Sequence, residues 1–502
     1  MKKEPTLMKT TVRWLLLPLL VGCLAWPVGP SHVRADEGTH KRNSLRGADG
    51  RPNIVFVYTD DQAPTAVGSE GNEQIQTPHM DRLFREGARL ANALVTTPVC
   101  SPSRASLMTS RYGSELGIFD WINPQSESEH GLDPKTVTWS EVLADVGYAT
   151  GLVGKWHLGT ADRFHPTKTG YQYFMGFRSG GNSPKDPTLE LDGATRTFAG
   201  FTPDILTDHA IDYIRGKKNQ PFLLSLHFRA PHAPWLPVRD EDREPYENLD
   251  PEIPNPDYPY LDVAGVKRMM RQYMASVSSV DRNLGRLLDV IDELGLSENT
   301  VVIFTSDHGY NLGHNGVWYK GNAQWQLTEL PRQRWPHIPP RQRPNLYDQS
   351  LRVPTAVRWP KVIQPGTVIE QTITNLDWYP TLLAMTGVDL PEGVLLRGRN
   401  FLPLLVGEPI EWDNDMYCEY SMKHGATTQM CAVRTPQWKL MIDFQNPGRE
   451  ELYDLVGDPQ ERSDLSDSNH PDVRRIKEQL RKRILNKVRE INAQDLEIFE
   501  MP

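Results

Sequence analysis

The sequence predicts an α/β fold in which a parallel sheet is flanked by helices and followed by a smaller C-terminal sheet. Residues 53–59, 221–228 and 300–305 are almost continuously apolar, which is typical of parallel strands buried on both faces. Residues 269–294 carry apolar side chains at helical spacing, as does a helix packed on such a sheet. Short β-like runs beyond residue 415 and a last helix with one apolar face predict the C-terminal sheet with its packed helix.

The length and the charge of the chain limit its possible domain organisation and partners. At 502 residues the chain is long enough for more than one domain. A change in composition near residues 407–415 predicts a main domain over residues 52–408 and a C-terminal α+β subdomain over residues 409–502. The formal net charge of −9 gives no indication of nucleic-acid binding, so we expect no nucleic-acid partner.

The first 35 residues differ from the rest and are predicted to be a signal peptide. They have a basic start and an apolar stretch that is short for a membrane span, and Val-Arg-Ala at 33–35 resembles a signal-peptidase site. In a competing interpretation, Leu-Val-Gly-Cys at 20–23 resembles a lipoprotein box, which would attach the protein to a membrane through a lipid on Cys23. Residues 36–51 are polar and predicted to be a flexible lead-in. We therefore expect an exported protein, periplasmic or extracellular.

The cysteines fit this expectation but leave one residue over. If Cys23 leaves with the signal peptide, then Cys100, Cys418 and Cys431 remain. Cys418 and Cys431 could pair in an exported protein, and the sequence does not decide whether they do. Cys100 would then be an odd cysteine that needs an explanation.

Charged and imidazole side chains follow the predicted strands where the strands end. Taken singly, each has an ordinary interpretation, such as an exposed acidic turn or a surface lysine. Because the carboxyl ends of parallel strands share one edge of a sheet, we expect these side chains to form one cluster. Three acids with an imidazole predict a cation, and oxygen ligands favour Ca²⁺ or Mg²⁺ over Zn²⁺. The members of the set are Asp60, Asp61, Lys155, His157, His232, Asp307, His308 and Lys320.

Cys100 begins a hydrophilic turn that leads into a predicted helix, where backbone N–H groups favour negative charge. The pattern Cys-x-Pro-x-Arg, from Cys100 to Arg104, resembles the signature of type I sulfatases. Other motifs of that family occur in the same order: Asp-Asp at 60–61, Gly-Lys-Trp-His at 154–157, Pro-His-x-Pro at 231–234, Ser-Asp-His-Gly at 306–309 and then a lysine. The resemblance extends from about residue 53 to 465 and includes the ending at 451–461.

The resemblance implies an alkaline-phosphatase-like fold, with a mixed central sheet flanked by helices on both faces and a small C-terminal antiparallel sheet with a packed helix. It also implies that a formylglycine-generating enzyme oxidises Cys100 to formylglycine, which acts as its hydrate. Ca²⁺, with Mg²⁺ as the less favoured ion, would be bound by Asp60, Asp61, Asp307, His308 and the residue made from Cys100. The family often has asparagine at the position of His308, although histidine also occurs there.

The same resemblance implies roles for the other side chains in the cleavage of a sulfate monoester. Arg104 would steady the formylglycine and His157 would help to deprotonate it. Lys155 and Lys320 would hold the sulfate oxygens. His232 would protonate the leaving group or bind sulfate. The substrate would be a sulfated polysaccharide or a small aryl or alkyl sulfate, and residues 52–408 would be the catalytic domain.

The same sequence features are compatible with two other functions. A phosphoester or phosphonate hydrolase of the same superfamily would use similar metal and nucleophile chemistry. A catalytically inactive, glycan-binding homologue would keep Cys100 as a thiol. Residues 321–345 are rich in arginine, proline and tryptophan and show no periodicity that predicts a regular element; they form either a solvated loop or a basic, aromatic lip that selects an anionic substrate.

Overall fold

The computed structural model describes residues 50–332 and 334–492. The predicted signal peptide, Cys23 and all but the last two residues of the predicted lead-in lie outside the described residues. Within the described part of the chain, no helix combines the length and the apolar character that crossing a bilayer requires.

The strands of the described residues are, in chain order, β1 (Asn53–Thr59), β2 (Ala88–Leu94), β3 (Ala149–Lys155), β4 (Tyr173–Phe177), β5 (Thr188–Leu191), β6 (Ala194–Thr197), β7 (Phe222–His227), β8 (Thr300–Ser306), β9 (Asn311–Leu312), β10 (Val317–Tyr319), β11 (Asn322–Trp325), β12 (Gln342–Pro344), β13 (Ala356–Arg358), β14 (Thr367–Thr374), β15 (Met416–Tyr420), β16 (Met430–Arg434), β17 (Trp438–Asp443) and β18 (Glu450–Asp454). The helices are α1 (Pro78–Glu86), α2 (Cys100–Thr109), α3 (Trp139–Asp145), α4 (Thr202–Lys217), α5 (Asp240–Arg243), α6 (Val263–Glu293), α7 (Asp348–Leu351), α8 (Trp378–Thr386), α9 (Leu402–Leu405) and α10 (Pro471–Asn492).

The main sheet has the strand order β14-β2-β13-β8-β1-β7-β3-β4-β5-β6. Its central strands β8, β1, β7, β3 and β4 are parallel to one another. By contrast, β13 is antiparallel to both β2 and β8, and β5 and β6 form an antiparallel edge. The sheet is therefore mixed, and its parallel centre coincides with the strands that the continuous apolar runs predict.

The strand β1 is buried on both faces because helices cover both sides of the sheet. Phe56 belongs to a cluster with Trp139 of α3 and Trp378 of α8. The neighbouring Val55 points the other way and belongs to a second cluster with Leu284 of α6. The prediction of helices on both faces is confirmed, and it explains why the strand shows no alternation of polar and apolar residues.

The C-terminal part forms the predicted antiparallel sheet, with the order β15-β16-β17-β18. The apolar face of α10 packs on this sheet, where Ile484 and Val488 join Leu440 and Ile442 in one cluster. The boundary between residues 408 and 409 itself stays a prediction.

Cys418 and Cys431 are both free in this structure. They lie on adjacent strands, but Cys418 pairs in register with Ala432, whereas Cys431 pairs with Glu419. Successive residues of a strand face opposite sides, so the two thiols belong to different hydrophobic clusters and form no disulfide.

Residues 321–345 contain two short strands, β11 and β12, which the sequence does not predict. They belong to a four-stranded antiparallel sheet with the order β12-β11-β10-β9. These strands are three or four residues long and mostly polar. They therefore show neither the alternation of polar and apolar residues nor the continuous apolar run from which strands are predicted.

Asp281 of α6 ties that helix to the start of α1, because its carboxylate accepts the N–H of Met80 at 2.7 Å and of His79 at 3.1 Å. Burial raises the pKa of Asp281 to about 7. Its ordinary value is about 4, so the contribution of this group to stability is fully present below about pH 4 and is lost as the pH rises towards 7.

We therefore expect the free energy of unfolding of the wild type, relative to Asp281→Asn, to fall between about pH 4 and pH 8. Urea unfolding of both proteins across this range measures the difference. Glu298→Gln, which replaces an exposed carboxylate by the same kind of amide, is the control measured over the same range. A difference between wild type and Asp281→Asn that does not change with pH would contradict this assignment.

Candidate active site

The predicted site residues follow the parallel centre of the main sheet. Asp60 and Asp61 follow β1, Lys155 is the last residue of β3, and Asp307 and His308 follow β8. Because β1 pairs in parallel with β8 and β7, and β7 with β3, these ends lie along one edge of the sheet. All five side chains are buried.

Cys100 is the first residue of α2 and is buried against the acidic groups at this edge. Its Sγ atom lies 3.5 Å from Asp60 Oδ1 and 3.5 Å from His308 Nε2. Lys320 Nζ donates a hydrogen bond to Cys100 Sγ at 3.1 Å. Burial raises the pKa of the Cys100 thiol to about 12, so the unmodified side chain is uncharged near neutral pH.

The acidic groups and His308 surround a small volume that suits a cation. His308 Nε2 lies 3.3 Å from Asp61 Oδ1 and 3.2 Å from Asp307 Oδ1. One ligand atom each from Asp60, Cys100, Asp307 and His308 lie within 4.8 Å of one another. A second such group combines Asp60, Asp61 and Cys100 with His232. Several carboxylate oxygens with one imidazole fit a hard divalent ion.

Each of the three carboxylates is paired with one buried cation. Arg104 contacts Asp307 through Nε at 3.0 Å and through Nη2 at 2.9 Å. The partner of Asp60 is Lys155, and the partner of Asp61 is Lys320.

The pairs with Lys155 and Lys320 keep the carboxylates of Asp60 and Asp61 ionised. Burial acts to raise the pKa of Asp60, but the positive charge of Lys155 and of its neighbours holds this pKa well below its usual range. The same balance, with Lys320 as the main cation, lowers the pKa of Asp61. The site therefore contains negatively charged carboxylates and positively charged ammonium groups, and the ammonium groups could also contact a bound anion.

His157 is buried beside this cluster but makes no hydrogen bond to another predicted site residue among those the structure describes. Its Nε2 atom lies 3.1 Å from the carbonyl oxygen of Ile122, and since a carbonyl only accepts, Nε2 donates. Its Nδ1 atom has no partner in the described residues. Burial, with the charges of Lys155 and Arg104, lowers the pKa of His157 well below its usual value. The neutral ring therefore presents the lone pair of Nδ1.

His232 lies on the segment after β7 and is the more open of the two histidines, with 28% of its side chain exposed. Its Nδ1 atom contacts the carbonyl oxygen of Ala233 at 2.6 Å, and Nε2 lies 3.9 Å from Asp61 Oδ2. This nitrogen faces the cluster, while part of the side chain remains open to solvent.

Two further buried groups at this edge were not predicted. His227 ends β7, and its Nδ1 donates to the carbonyl oxygen of Lys155 at 3.1 Å. Arg229 follows two residues later and is 2% exposed. Both residues lie at the end of a buried strand. Asp60 was predicted from the same kind of position, so this position could also have indicated His227 and Arg229.

Models of two protein families match the chain. The model described as Sulfatase matches residues 52–388. The model described as N-sulphoglucosamine sulphohydrolase, C-terminal, matches residues 342–490.

Relatives of similar length also match. The chain is 26% identical to the N-acetylglucosamine-6-O-sulfatase of Bacteroides thetaiotaomicron, over 92% of this chain and 88% of that protein. It is 28% identical to an ulvan-active sulfatase of Formosa agariphila, over 83% of this chain and 77% of that protein. A protein solved with its substrate D-glucosamine-2-N,6-O-disulfate has a TM-score of 0.75 and 23% identity, over 89% of this chain and 99% of that chain. The structural likeness confirms the predicted fold class.

Proposed function

The chain belongs to the sulfatase family and is a sulfuric ester hydrolase, and on this basis we propose that it cleaves sulfate monoesters with a formylglycine made from Cys100. The observation that carries the proposal is the place of Cys100 at the start of a buried helix, 3.5 Å from Asp60 and 3.5 Å from His308. A hydrated aldehyde supplies two hydroxyl groups, one to attack sulfur and one whose proton loss releases sulfate.

The metal in this proposal is Ca²⁺, held by Asp60, Asp61, Asp307 and His308 together with the residue made from Cys100. The donor set fits, because carboxylate oxygens dominate it and a hard divalent ion prefers oxygen ligands. Such an ion supplies positive charge that favours the ionised hydroxyl and the bound sulfate group.

The other residues act on the sulfate group and on protons. Lys155 and Lys320 direct ammonium groups at the sulfate oxygens, and Arg104 fixes Asp307 beside residue 100. His157 accepts a proton at Nδ1, where the lone pair is free. His232, in the imidazolium form with a proton on each nitrogen, donates the Nε2 proton to the leaving oxygen and becomes neutral.

Lys320 gives a direct test of these roles. We expect Lys320→Met to lower kcat/KM for a sulfate ester by about 100-fold, because a fixed positive charge on the transferring group is lost. Steady-state release of sulfate measures the effect. Lys361→Met removes an exposed lysine that also pairs with a carboxylate, that of Glu298, and should leave kcat/KM unchanged. Equal activity of the two variants would contradict the role of Lys320.

The substrate class we propose is a sulfated glycan. Two relatives are named for glycan substrates or their sugar units. Within residues 321–345, Arg343 is bound to Glu451 and Tyr347 and is therefore part of the packing. Four other side chains of that segment, three guanidinium groups and one imidazole, are exposed and available to a polyanion: Arg332, Arg334, Arg341 and His337. We also propose that the protein is exported and that a formylglycine-generating enzyme matures it.

Sulfate release from a panel of sulfated glycans and aryl sulfates tests the function, with the matching phosphate esters assayed in parallel. We expect sulfate esters to be turned over faster than phosphate esters, and at least one sulfated glycan to be desulfated. Faster cleavage of phosphate esters would support the phosphoester alternative. A Cys100 that remains a thiol in a protein without activity would support the glycan-binding alternative.

A further inference from the structure

The segment that carries His232 is held by the buried guanidinium of Arg229. Arg229 Nη1 donates to the carbonyl oxygen of His232 at 2.6 Å, and Nη2 donates to that of Pro234 at 2.8 Å. The N–H of His232 closes a turn onto the carbonyl oxygen of Arg229 at 2.9 Å. The side chain and the backbone of Arg229 therefore fix the peptide groups at both ends of residues 232–234.

The carbonyl group between these two anchors sets the orientation of the imidazole. Ala233 O lies 2.6 Å from His232 Nδ1, which donates to it. This contact leaves Nε2 as the nitrogen that faces the carboxylates, 3.9 Å from Asp61 Oδ2. Any rotation of the peptide at Ala233 would turn the ring, and the two bonds from Arg229 restrain that rotation.

We propose that Arg229 is a positioning residue that aims His232 Nε2 at the leaving oxygen of the sulfate ester. This inference rests on the proposed function, in which His232 Nε2 donates the proton. The planar guanidinium suits the task because its two terminal nitrogens reach two carbonyl groups at fixed spacing, whereas an ammonium group is a single point of donation.

The test must distinguish this positioning role of Arg229 from a purely electrostatic one. The charge of Arg229 also acts on Asp60 and Asp61, which follow β1 beside it. The N–H of Asp60 donates to the carbonyl oxygen of Ala230 at 3.4 Å, so the two segments are in contact. If charge alone mattered, lysine would replace Arg229 without loss.

The experiment compares two substrates that differ in their need for a proton. The leaving oxygen of 4-nitrophenyl sulfate departs as a stable phenolate, whereas that of an alkyl or sugar sulfate requires protonation. For the alkyl or sugar sulfate we expect Arg229→Gln and Arg229→Lys each to lower kcat/KM by about 10- to 100-fold. For 4-nitrophenyl sulfate we expect a loss of less than about threefold.

A double-mutant cycle with His232→Ala assigns the loss to that histidine. We expect His232→Ala to show the same dependence on the leaving group, and Arg229→Gln to add no further loss in its background. Arg239→Gln is the matched control: this arginine is ten residues further along the chain, pairs with Asp204 at 2.7 Å and should leave both substrates unaffected. Melting temperatures of all variants show whether each is folded.

Three results would overturn the inference. Wild-type activity of Arg229→Lys would assign the effect to charge, and additive losses in the double mutant would separate Arg229 from His232. Equal losses on both substrates in His232→Ala would show instead that the proposed role of His232 as proton donor is wrong. A wild-type protein without sulfatase activity would contradict the proposed function itself, so the failures are distinguishable.

Discussion

Cys100→Ala is expected to lower the release of sulfate by about 10⁴-fold or more, because alanine carries no thiol and its Cβ therefore cannot be oxidised to the aldehyde whose hydrate is the proposed nucleophile. The fold should persist, because a small buried side chain replaces another small one at the start of α2. Initial rates on an aryl sulfate measure the loss, and the unfolding midpoint in urea verifies that the variant is folded.

Cys418→Ala is the matched control, since Cys418 is equally buried but lies on β15. It should keep full activity. Mass spectrometry of the peptide that contains Cys100 completes the test, because formylglycine is about 18 Da lighter than cysteine. An unmodified thiol in an active enzyme, or activity in Cys100→Ala, would rule out the assignment of the nucleophile.

Asp307→Asn should weaken the affinity for Ca²⁺ by about 100-fold or more. Loss of a residue that hydrogen-bonds to a metal ligand typically weakens metal binding by about 10- to 100-fold, and loss of the ligand itself should have a larger effect. The substitution removes a negative charge that faces His308 Nε2 at 3.2 Å and leaves Arg104 without its carboxylate partner. Calorimetric titration of the metal-free enzyme with Ca²⁺ measures the affinity. Activity as a function of Ca²⁺ concentration should shift by the same factor.

The control for Asp307→Asn is Asp292→Asn. Asp292, near the end of α6, is a half-buried carboxylate that pairs with Arg82 and Arg358 and with none of the predicted site residues among those described. Its replacement should leave the affinity for Ca²⁺ unchanged. Unchanged affinity in both variants would show that Asp307 is not a ligand.

The central strands could be predicted because each is buried on both faces, which produces an uninterrupted apolar run. The edge strand β14 (Thr367–Thr374) could not, because Glu370 and Val368 on its outer side face solvent and the run is mostly polar. The short strands β11 and β12 were missed for a related reason: they are held by pairing with neighbours, and their own side chains carry no pattern.

The candidate site could be predicted as a set of residue types at strand ends, but not as a set of pairs. That Lys155 pairs with Asp60, and Lys320 with Asp61, depends on how loops far apart in sequence meet in space. Arg229 was missed because an arginine after a strand is usually solvated, and only the fold shows that it is buried.

The burial of Cys100 has a consequence for the order of events during synthesis. In the folded protein this thiol is 2% exposed and in contact with Lys320, so a modifying enzyme cannot reach it. Cys100 leaves the ribosome 220 residues before Lys320 does, and the pocket cannot close until that lysine has arrived. The proposed oxidation of the thiol must therefore precede the closing of this pocket, while the chain is still open.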